Sequence, residues 1–116
     1  MKKRFQIKHI SEIPLEGTHD LPDSRQTLAT SDDLVTDNID AFTKGILKPG
    51  QYWDWHSHND YDELGIVLQG SGAFYWEEEK TNYKSGDVII IPAASKHKFE
   101  ALGDVVNEFY FVRIKV

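Results

Sequence analysis

The sequence predicts an all-β domain, folded as a sandwich or barrel of short strands. From Ile39 onward, runs rich in β-branched and aromatic residues recur at close intervals, separated by turn signals such as Pro49-Gly50 and Asn59-Asp60. No helical period persists through three turns. The 116 residues, 40% of them hydrophobic, suffice for one domain with its own core.

The predicted strands fall in the region 39–116, which we expect to form the barrel. They cover residues 40–47, 52–58, 63–68, 73–77, 88–91, 97–101 and 105–116. Residues 1–38 are polar and rich in turn signals, with short strands expected at 5–10 and 26–29 and a turn or brief helical start at 31–33. We expect this N-terminal strand and loop segment to pack on the barrel, giving one domain overall.

Charge and composition exclude several classes of function. The net charge is −6 and no basic cluster could follow a phosphate backbone, so no nucleic acid partner is expected. The absence of cysteine excludes disulfides, thiolate metal sites and cysteine nucleophiles. No apolar run has membrane-spanning length, and residues 5–9 alternate instead of forming a signal sequence. We therefore expect a cytoplasmic protein that does not bind membranes.

One predicted strand combines histidines with tryptophans. Because side chains alternate along a strand, residues 52–58 should place two histidines on one face and two tryptophans on the other. The histidine face comprises Tyr52, Asp54, His56 and His58, and the other comprises Trp53, Ser57 and Trp55. Histidines turned into a barrel need a partner for their ring nitrogens, because unpaired buried polar groups are costly.

A metal ion would be such a partner. His56 and His58 lie about 7 Å apart at Cα on one face of the strand, which suits chelation of a single ion. Glu63 begins the next strand after a four-residue loop, and His97 follows an apolar strand that ends at Pro92. Imidazole and carboxylate ligands suit iron, manganese, nickel, zinc or copper, so we predict one divalent transition metal.

Two spaced motifs carry a resemblance to a known family. The first reads Gly50, five residues, His56-x-His58, four residues, Glu63, six residues, Gly70, and the second reads Gly86, five residues, Pro92, then Ala94 and His97. In these positions the chain resembles the cupin family. Ala94 stands where the family prefers glycine, and Ala101 stands where it often has asparagine. Together the motifs cover about half of the chain.

The resemblance implies a double-stranded β-helix, also described as a jelly-roll barrel. It also implies that a metal ion is held inside by His56, His58, Glu63 and His97. An octahedral ion would then keep about two positions for water, substrate or oxygen. Phe99 should share the barrel interior with His97 by strand parity. In the last strand, parity defines two faces but does not tell which one points inward.

The fold alone does not determine the activity, because one scaffold hosts many chemistries. We expect a metal-dependent dioxygenase, isomerase or lyase acting on a small polar metabolite such as a sugar acid or keto acid. The metal would act as a Lewis acid or oxygen-binding centre. Candidate catalytic residues for proton transfer are Tyr52, Asp54 and Tyr110. The alternative is a cupin that binds or senses a small molecule without turning it over.

Aromatic residues on the outside of the barrel would favour self-association. Trp53 and Trp55, if turned away from the metal, either pack within the barrel wall or form a dimer seam. The strand at 5–10 could cover the edge of a partner's sheet. We therefore predict a homodimer. His9 and His19 stand in polar surroundings and are expected to be exposed.

Overall fold

The computed structural model describes residues 2–116 and consists almost entirely of β-strands. The strands are β1 (Glu16–Thr18), β2 (Leu21–Thr30), β3 (Ile39–Leu47), β4 (Tyr52–His56), β5 (Tyr61–Gln69), β6 (Ser71–Trp76), β7 (Glu79–Lys84), β8 (Val88–Ile91), β9 (His97–Leu102) and β10 (Asn107–Lys115). Short 3₁₀ helices cover Ile10–Glu12 and Ser31–Asp33. Within residues 2–116, no helix has the length and apolar character needed to cross a bilayer.

The strands form two antiparallel sheets. The larger sheet has six strands in the order β1-β2-β3-β10-β5-β8, and the smaller has four in the order β4-β9-β6-β7. Neighbours in each sheet are often distant in sequence, such as β3 with β10 and β4 with β9. This arrangement confirms the predicted all-β jelly-roll barrel, in which the inner faces of two sheets share one core.

The core is an aromatic cluster contributed by both sheets. Trp53 and Phe99 come from the smaller sheet, and Phe109 and Phe111 come from the larger one. The Trp53 ring lies 5.5 Å from the rings of both Phe99 and Phe109, and the Phe99 ring lies 5.7 Å from that of Phe111. Two of these pairs pack edge-on and the Trp53–Phe109 pair is tilted, and edge-on contacts at these separations are favourable. Phe99 is buried with His97, as strand parity predicted.

Two glycines make room for this cluster. On the strands that flank β10, Gly45 lies opposite Phe109 and Gly65 lies opposite Phe111. A Cβ atom added to Gly65 would stand 2.7 Å from the Phe111 ring, and one added to Gly45 would stand 2.5 Å from the Trp53 ring. Any larger residue would therefore push the aromatic rings out of position.

The strands predicted from residue 39 onward are all present. One further strand, β7, was not predicted. Its residues Glu79–Lys84 are polar, and only Tyr83 among them is buried. β7 lies at the edge of the smaller sheet beside β6, so most of its side chains face solvent. The hydrophobic alternation that indicates a strand is consequently missing.

The N-terminal segment differs from its prediction. The strand expected at 5–10 is wrong, because residues 2–9 form no strand and Ile10 begins a 3₁₀ helix. Phe5 and Ile7 are 73% and 91% exposed, so their alternation reflects no buried face. By contrast, β2 includes the strand expected at 26–29 and pairs with β3, so part of segment 1–38 belongs to the larger sheet. The short helix at Ser31–Asp33 agrees with the prediction and is capped by Thr30.

Candidate metal centre

The strand β4 contains one extra residue relative to its partner. Trp53 pairs with Phe99 and His56 pairs with His97, so a three-residue step on β4 matches a two-residue step on β9. Such a β-bulge interrupts the alternation of side chains. Trp53 and His56 therefore both line the cavity of the barrel. The prediction that Trp53 faces away from His56 is wrong, because it assumed a regular ladder.

The same bulge changes the positions of the residues suggested for proton transfer. Tyr52 is 49% exposed and lies beneath the ammonium group of Lys98, and Asp54 is also exposed. The prediction that both share the histidine face is therefore wrong. Tyr110 packs against Phe42, with ring centroids 5.6 Å apart, and does not line the cavity. We propose no catalytic role for these three residues.

The four predicted ligands come together from separate parts of the barrel. His56 ends β4, His58 lies in the following loop, Glu63 is in β5 and His97 begins β9. The His97 ring centroid is 4.2 Å from that of His56 and 5.5 Å from that of His58. One potential ligand atom from each of His58, Glu63 and His97 lies within 4.8 Å of the others. His56 belongs to a second group of potential ligand atoms, which also contains His58.

Hydrogen bonds orient two of the imidazoles. The Nδ1 of His97 is 2.9 Å from the carbonyl oxygen of Ser95, and that of His56 is 2.6 Å from the carbonyl oxygen of Asp54. A carbonyl oxygen only accepts, so each Nδ1 carries the proton and each Nε2 keeps a free lone pair. In residues 2–116 the Nε2 of His97 is buried and has no hydrogen-bond partner.

Burial keeps these imidazoles neutral. Desolvation lowers the pKa of His97 to about 4 and that of His58 to about 3, and it also lowers the pKa of His56. Desolvation raises the pKa of Glu63 to about 7, against the opposing effect of Arg113 and Arg25. Neutral imidazoles have lone pairs available at neutral pH, and a nearby cation would favour the ionised form of Glu63.

The turn before His97 is fixed to the loop that carries His58. Ala94 has a left-handed backbone with φ of 67°, and its N–H donates to the carbonyl oxygen of His58 at 2.7 Å. The carboxylate of Asp62 accepts from the N–H of Ala93 at 2.8 Å. Ala94 thus adopts a conformation that favours glycine, which the resemblance places at this position.

A cavity of about 220 Å³ lies beside these residues. Its apolar wall is formed by Trp53, Phe99 and Phe111, and two guanidinium groups, those of Arg25 and Arg113, also line it. Arg113 follows the parity of Phe111 on β10, so the inner face of this strand is the one that carries its buried phenylalanines. Those phenylalanines were a usable sequence signal for the inner face.

His19 was not predicted as part of the site. It occupies the turn between β1 and β2, and its ring stacks on that of His56 with centroids 3.7 Å apart and an interplanar angle of 23°. The residue is exposed, as the sequence predicted, although its ring lines the cavity. No sequence pattern predicts that His19 contacts the cavity, because a single histidine in a polar turn does not indicate which strand the turn will pack against.

Comparison with known proteins identifies the family and related activities. The family model described as the cupin domain matches residues 44–113. The 5-nitrosalicylic acid 1,2-dioxygenase of a Bradyrhizobium species is 31% identical over 67 residues, which are 58% of this chain and 32% of that protein. The oxalate-binding protein of Thermotoga maritima is 30% identical over 73 residues, 63% of this chain and 60% of that protein. The chain spans about half the length of other curated relatives it matches.

A solved structure shares the fold over nearly the whole chain. It is described as a predicted oxalate decarboxylase from Thermotoga maritima, has a TM-score of 0.84 and is 22% identical. The match covers 96% of this chain and 100% of that chain. The family model matches more than half of the chain and includes all four predicted ligands. The chain therefore belongs to the cupin family.

Proposed function

We propose that the chain holds one divalent transition metal on His56, His58, Glu63 and His97 and uses it to act on a small carboxylic acid. The observation that carries the metal site is the free Nε2 of His97. This atom is buried, bears a lone pair and has no partner within residues 2–116. Buried polar atoms in native proteins are normally satisfied, so a ligand at this position would remove a cost.

The donor set fits such an ion. Three neutral imidazoles and one carboxylate suit iron, manganese, nickel, zinc or copper, and availability rather than ligand type would select among them. When bound, the ion would supply a Lewis acid or an oxygen-binding centre.

Tyr61 would help to hold His58 in its ligating form. The Tyr61 hydroxyl lies 2.9 Å from the Nδ1 of His58 and accepts a hydrogen bond from Arg113 at 3.3 Å. Ligation through Nε2 requires the Nδ1 of His58 to donate, so the hydroxyl would accept from both groups. A partner at the second ring nitrogen of a metal-bound histidine fixes its orientation.

The two arginines support an acidic substrate. Arg25 pairs with Glu16 at 3.4 Å, and Arg113 pairs with Asp40 at 2.8 Å. The Nε atom of each arginine is nevertheless buried without a hydrogen-bond partner within the described residues. A carboxylate is the group that a guanidinium binds best, through paired hydrogen bonds. We propose that a sugar acid, keto acid or similar small acid lies in the cavity beside these side chains.

We propose the same reaction classes that the sequence predicted, namely a metal-dependent dioxygenase, isomerase or lyase. The similarity to 5-nitrosalicylic acid 1,2-dioxygenase supports oxygen chemistry. A second candidate is binding of a small acid without turnover, and the similarity to an oxalate-binding protein favours it. The two are separated by incubating the metal-loaded protein with oxalate and a 2-oxo acid in air. Loss of the acid supports an enzyme, and binding without loss supports the second candidate.

Oxalate provides a direct probe of the proposed acid site. We expect purified protein to contain about one equivalent of a first-row metal and to bind oxalate in a calorimeter. Arg113→Lys keeps the charge but removes the planar fork, so oxalate affinity should fall about tenfold or more. The control is Arg4→Lys, which changes an exposed arginine outside this cavity.

Less than a tenth of an equivalent of metal after reconstitution would contradict the metal site. Equal oxalate affinity for Arg113→Lys and wild type would contradict the role of Arg113.

We also propose that the chain forms a homodimer through an apolar strip on the larger sheet. The strip consists of exposed side chains at the β5–β8 end, namely Leu64, Ile66, Leu68, Val88 and Ile90. Leu64 pairs with Ile90 and Ile66 pairs with Val88, so these side chains are adjacent. Contiguous exposed apolar patches commonly mark association surfaces. Trp53 is buried in the core and residues 5–10 form no strand, so neither of them supports the dimer.

A further inference from the structure

The hairpin formed by β1 and β2 brings a fourth imidazole to the metal centre. Thr18 pairs with Leu21, so the turn consists of His19 and Asp20 alone. The His19 ring stacks on His56 at 3.7 Å and lies 5.9 Å from the ring of His58. One potential ligand atom from each of these three histidines lies within 4.8 Å of the others. His58 thus belongs to two overlapping groups, one with Glu63 and His97 and one with His19 and His56.

The conformation of this turn is unusual for its residues. His19 and Asp20 have φ values of 51° and 63°, the left-handed region that a two-residue hairpin of this kind requires. Asn-Gly is the preferred pair there, and neither residue here is glycine or asparagine. Strained residues of this type cluster at functional sites, where the surroundings hold them in place. Histidine and aspartate are nevertheless among the non-glycine residues most often found there, so the turn tolerates His19.

The hairpin is also anchored on the cavity side. The Arg25 guanidinium donates to the hydroxyl of Thr18 at 3.4 Å and pairs with Glu16 at 3.4 Å. The Thr27 hydroxyl also donates a hydrogen bond to Glu16. These contacts hold the hairpin against the face of β2 that carries Arg25, which lines the cavity. The hydrogen bonds and the ion pair of the hairpin thus hold His19 in its position over His56.

We propose that His19 is a fifth protein ligand of the metal ion, supplied from outside the two cupin motifs by the β1–β2 hairpin. Ligation requires its ring to turn out of the stack on His56, because two parallel rings cannot both direct an in-plane lone pair at one ion. This inference rests on the proposed metal site. With five protein ligands, an octahedral ion keeps one position for an external group instead of two. The family model begins at residue 44, so this ligand lies outside the region that the model matches.

Cobalt provides the test, because its visible absorption reports its ligands. Wild type, His19→Asn and His9→Asn are stripped with a chelator and loaded with Co²⁺. Asparagine favours the left-handed turn and removes the imidazole, and His19→Gly serves as a second variant that tolerates the same backbone. His9 is the control, since it lies in the N-terminal segment and accepts a hydrogen bond from the N–H of Ser11. Band positions and Co²⁺ affinity by competition are measured for each protein.

Water should replace the imidazole in the His19 variants. Oxygen is a weaker-field ligand than nitrogen, so their bands should move to longer wavelength. Co²⁺ affinity should fall about tenfold or more, since even an outer partner of a ligand contributes about that much. Unchanged bands with lower affinity would overturn ligation and leave His19 as a residue that positions His56. Unchanged bands and affinity would overturn the inference while leaving the metal site intact. A wild type that takes up no cobalt would overturn the metal site itself and this inference with it.

Discussion

At the scale of single residues, Tyr83 shows how burial couples the core to pH. Its hydroxyl accepts a hydrogen bond from the Asn107 amide at 2.7 Å and donates to the carbonyl oxygen of Glu100 at 3.3 Å. Burial raises the pKa of Tyr83 to about 12, against an ordinary value of 10. The folded state therefore holds this proton more tightly than the unfolded chain does.

We predict that Tyr83 makes the fold sensitive to alkali. Its contribution to stability is complete below pH 10 and is lost as the pH rises through about 12, because only the folded state resists deprotonation. A shift of two pKa units corresponds to about 2–3 kcal/mol at most. Urea unfolding between pH 9 and pH 12 measures this loss. Tyr83→Phe should start with a lower free energy of unfolding but lose less of it with rising pH. Parallel pH profiles for the two proteins would refute the prediction.

The residues of the site were predictable to different degrees. His56, His58, Glu63 and His97 could be predicted as a group because their spacing matches the two motifs of the cupin family. His19 could not, since its position depends on a hairpin whose pairing has no hydrophobic signal. Arg25 belongs to the same N-terminal segment and was not predicted either, because the pairing of that segment has no hydrophobic signal. The two motifs therefore predict their own residues, whereas nothing in the sequence predicts how segments outside them are placed.

At the scale of elements, the proposed metal ion joins the two sheets. His56 and His97 belong to β4 and β9 in the smaller sheet, whereas Glu63 belongs to β5 in the larger one. Apolar residues in the core hold the barrel independently of these side chains. The ion would therefore add stability to a fold that already exists, through its preference for the native state.

Chelation should reveal this contribution. A metal at about 100 times its Kd adds about 2.7 kcal/mol, which corresponds to roughly 10 °C in melting temperature for a chain of this size. We expect a chelator to lower the melting temperature of wild type by about that amount and to leave His97→Ala unchanged. Asp54→Ala, which alters an exposed carboxylate, should behave like wild type. If the chelator shifts His97→Ala as much as wild type, His97 is not a ligand.

The elements themselves were predicted where β-branched and aromatic residues are frequent and missed where polar residues dominate. β10 shows its buried face in sequence through Phe109 and Phe111, whereas in β5 the leucines Leu64 and Leu68 are exposed and Gly65 is buried. β7 lacks such a face because it is an edge strand with polar side chains. β4 was located correctly, yet its faces were misassigned. A bulge adds one residue to a strand without any change in composition that would reveal it.

At the scale of the whole molecule, the apolar strip on β5 and β8 has no cover within the described chain. Val88 and Ile90 are 64% and 69% exposed, and β8 is the edge strand of its sheet. Exposed apolar edges invite pairing with another chain. A second copy that uses the same strip would bury it symmetrically.

We predict a dimer at tens of micromolar, and sedimentation velocity measures it. Ile90→Glu should give a monomer with an unchanged circular dichroism spectrum, because a buried unpaired charge at the interface is costly. The control is Val105→Glu, which introduces the same charge at an exposed valine in the loop before β10. A monomeric wild type would refute the dimer, and a dimeric Ile90→Glu would place the interface elsewhere.

The bulge in β4 has a consequence for how such a chain can change over generations. The extra residue lies between Trp53 and His56, so both side chains face inward although they are three residues apart. Substitutions at the exposed positions 54 and 55 leave this spacing unchanged, whereas the loss of one codon there would remove the bulge and restore regular alternation. The tryptophan and the histidine would then be two residues apart and would still share the inner face. Descendants of this chain can therefore lose one residue at this point and keep both side chains inside the barrel.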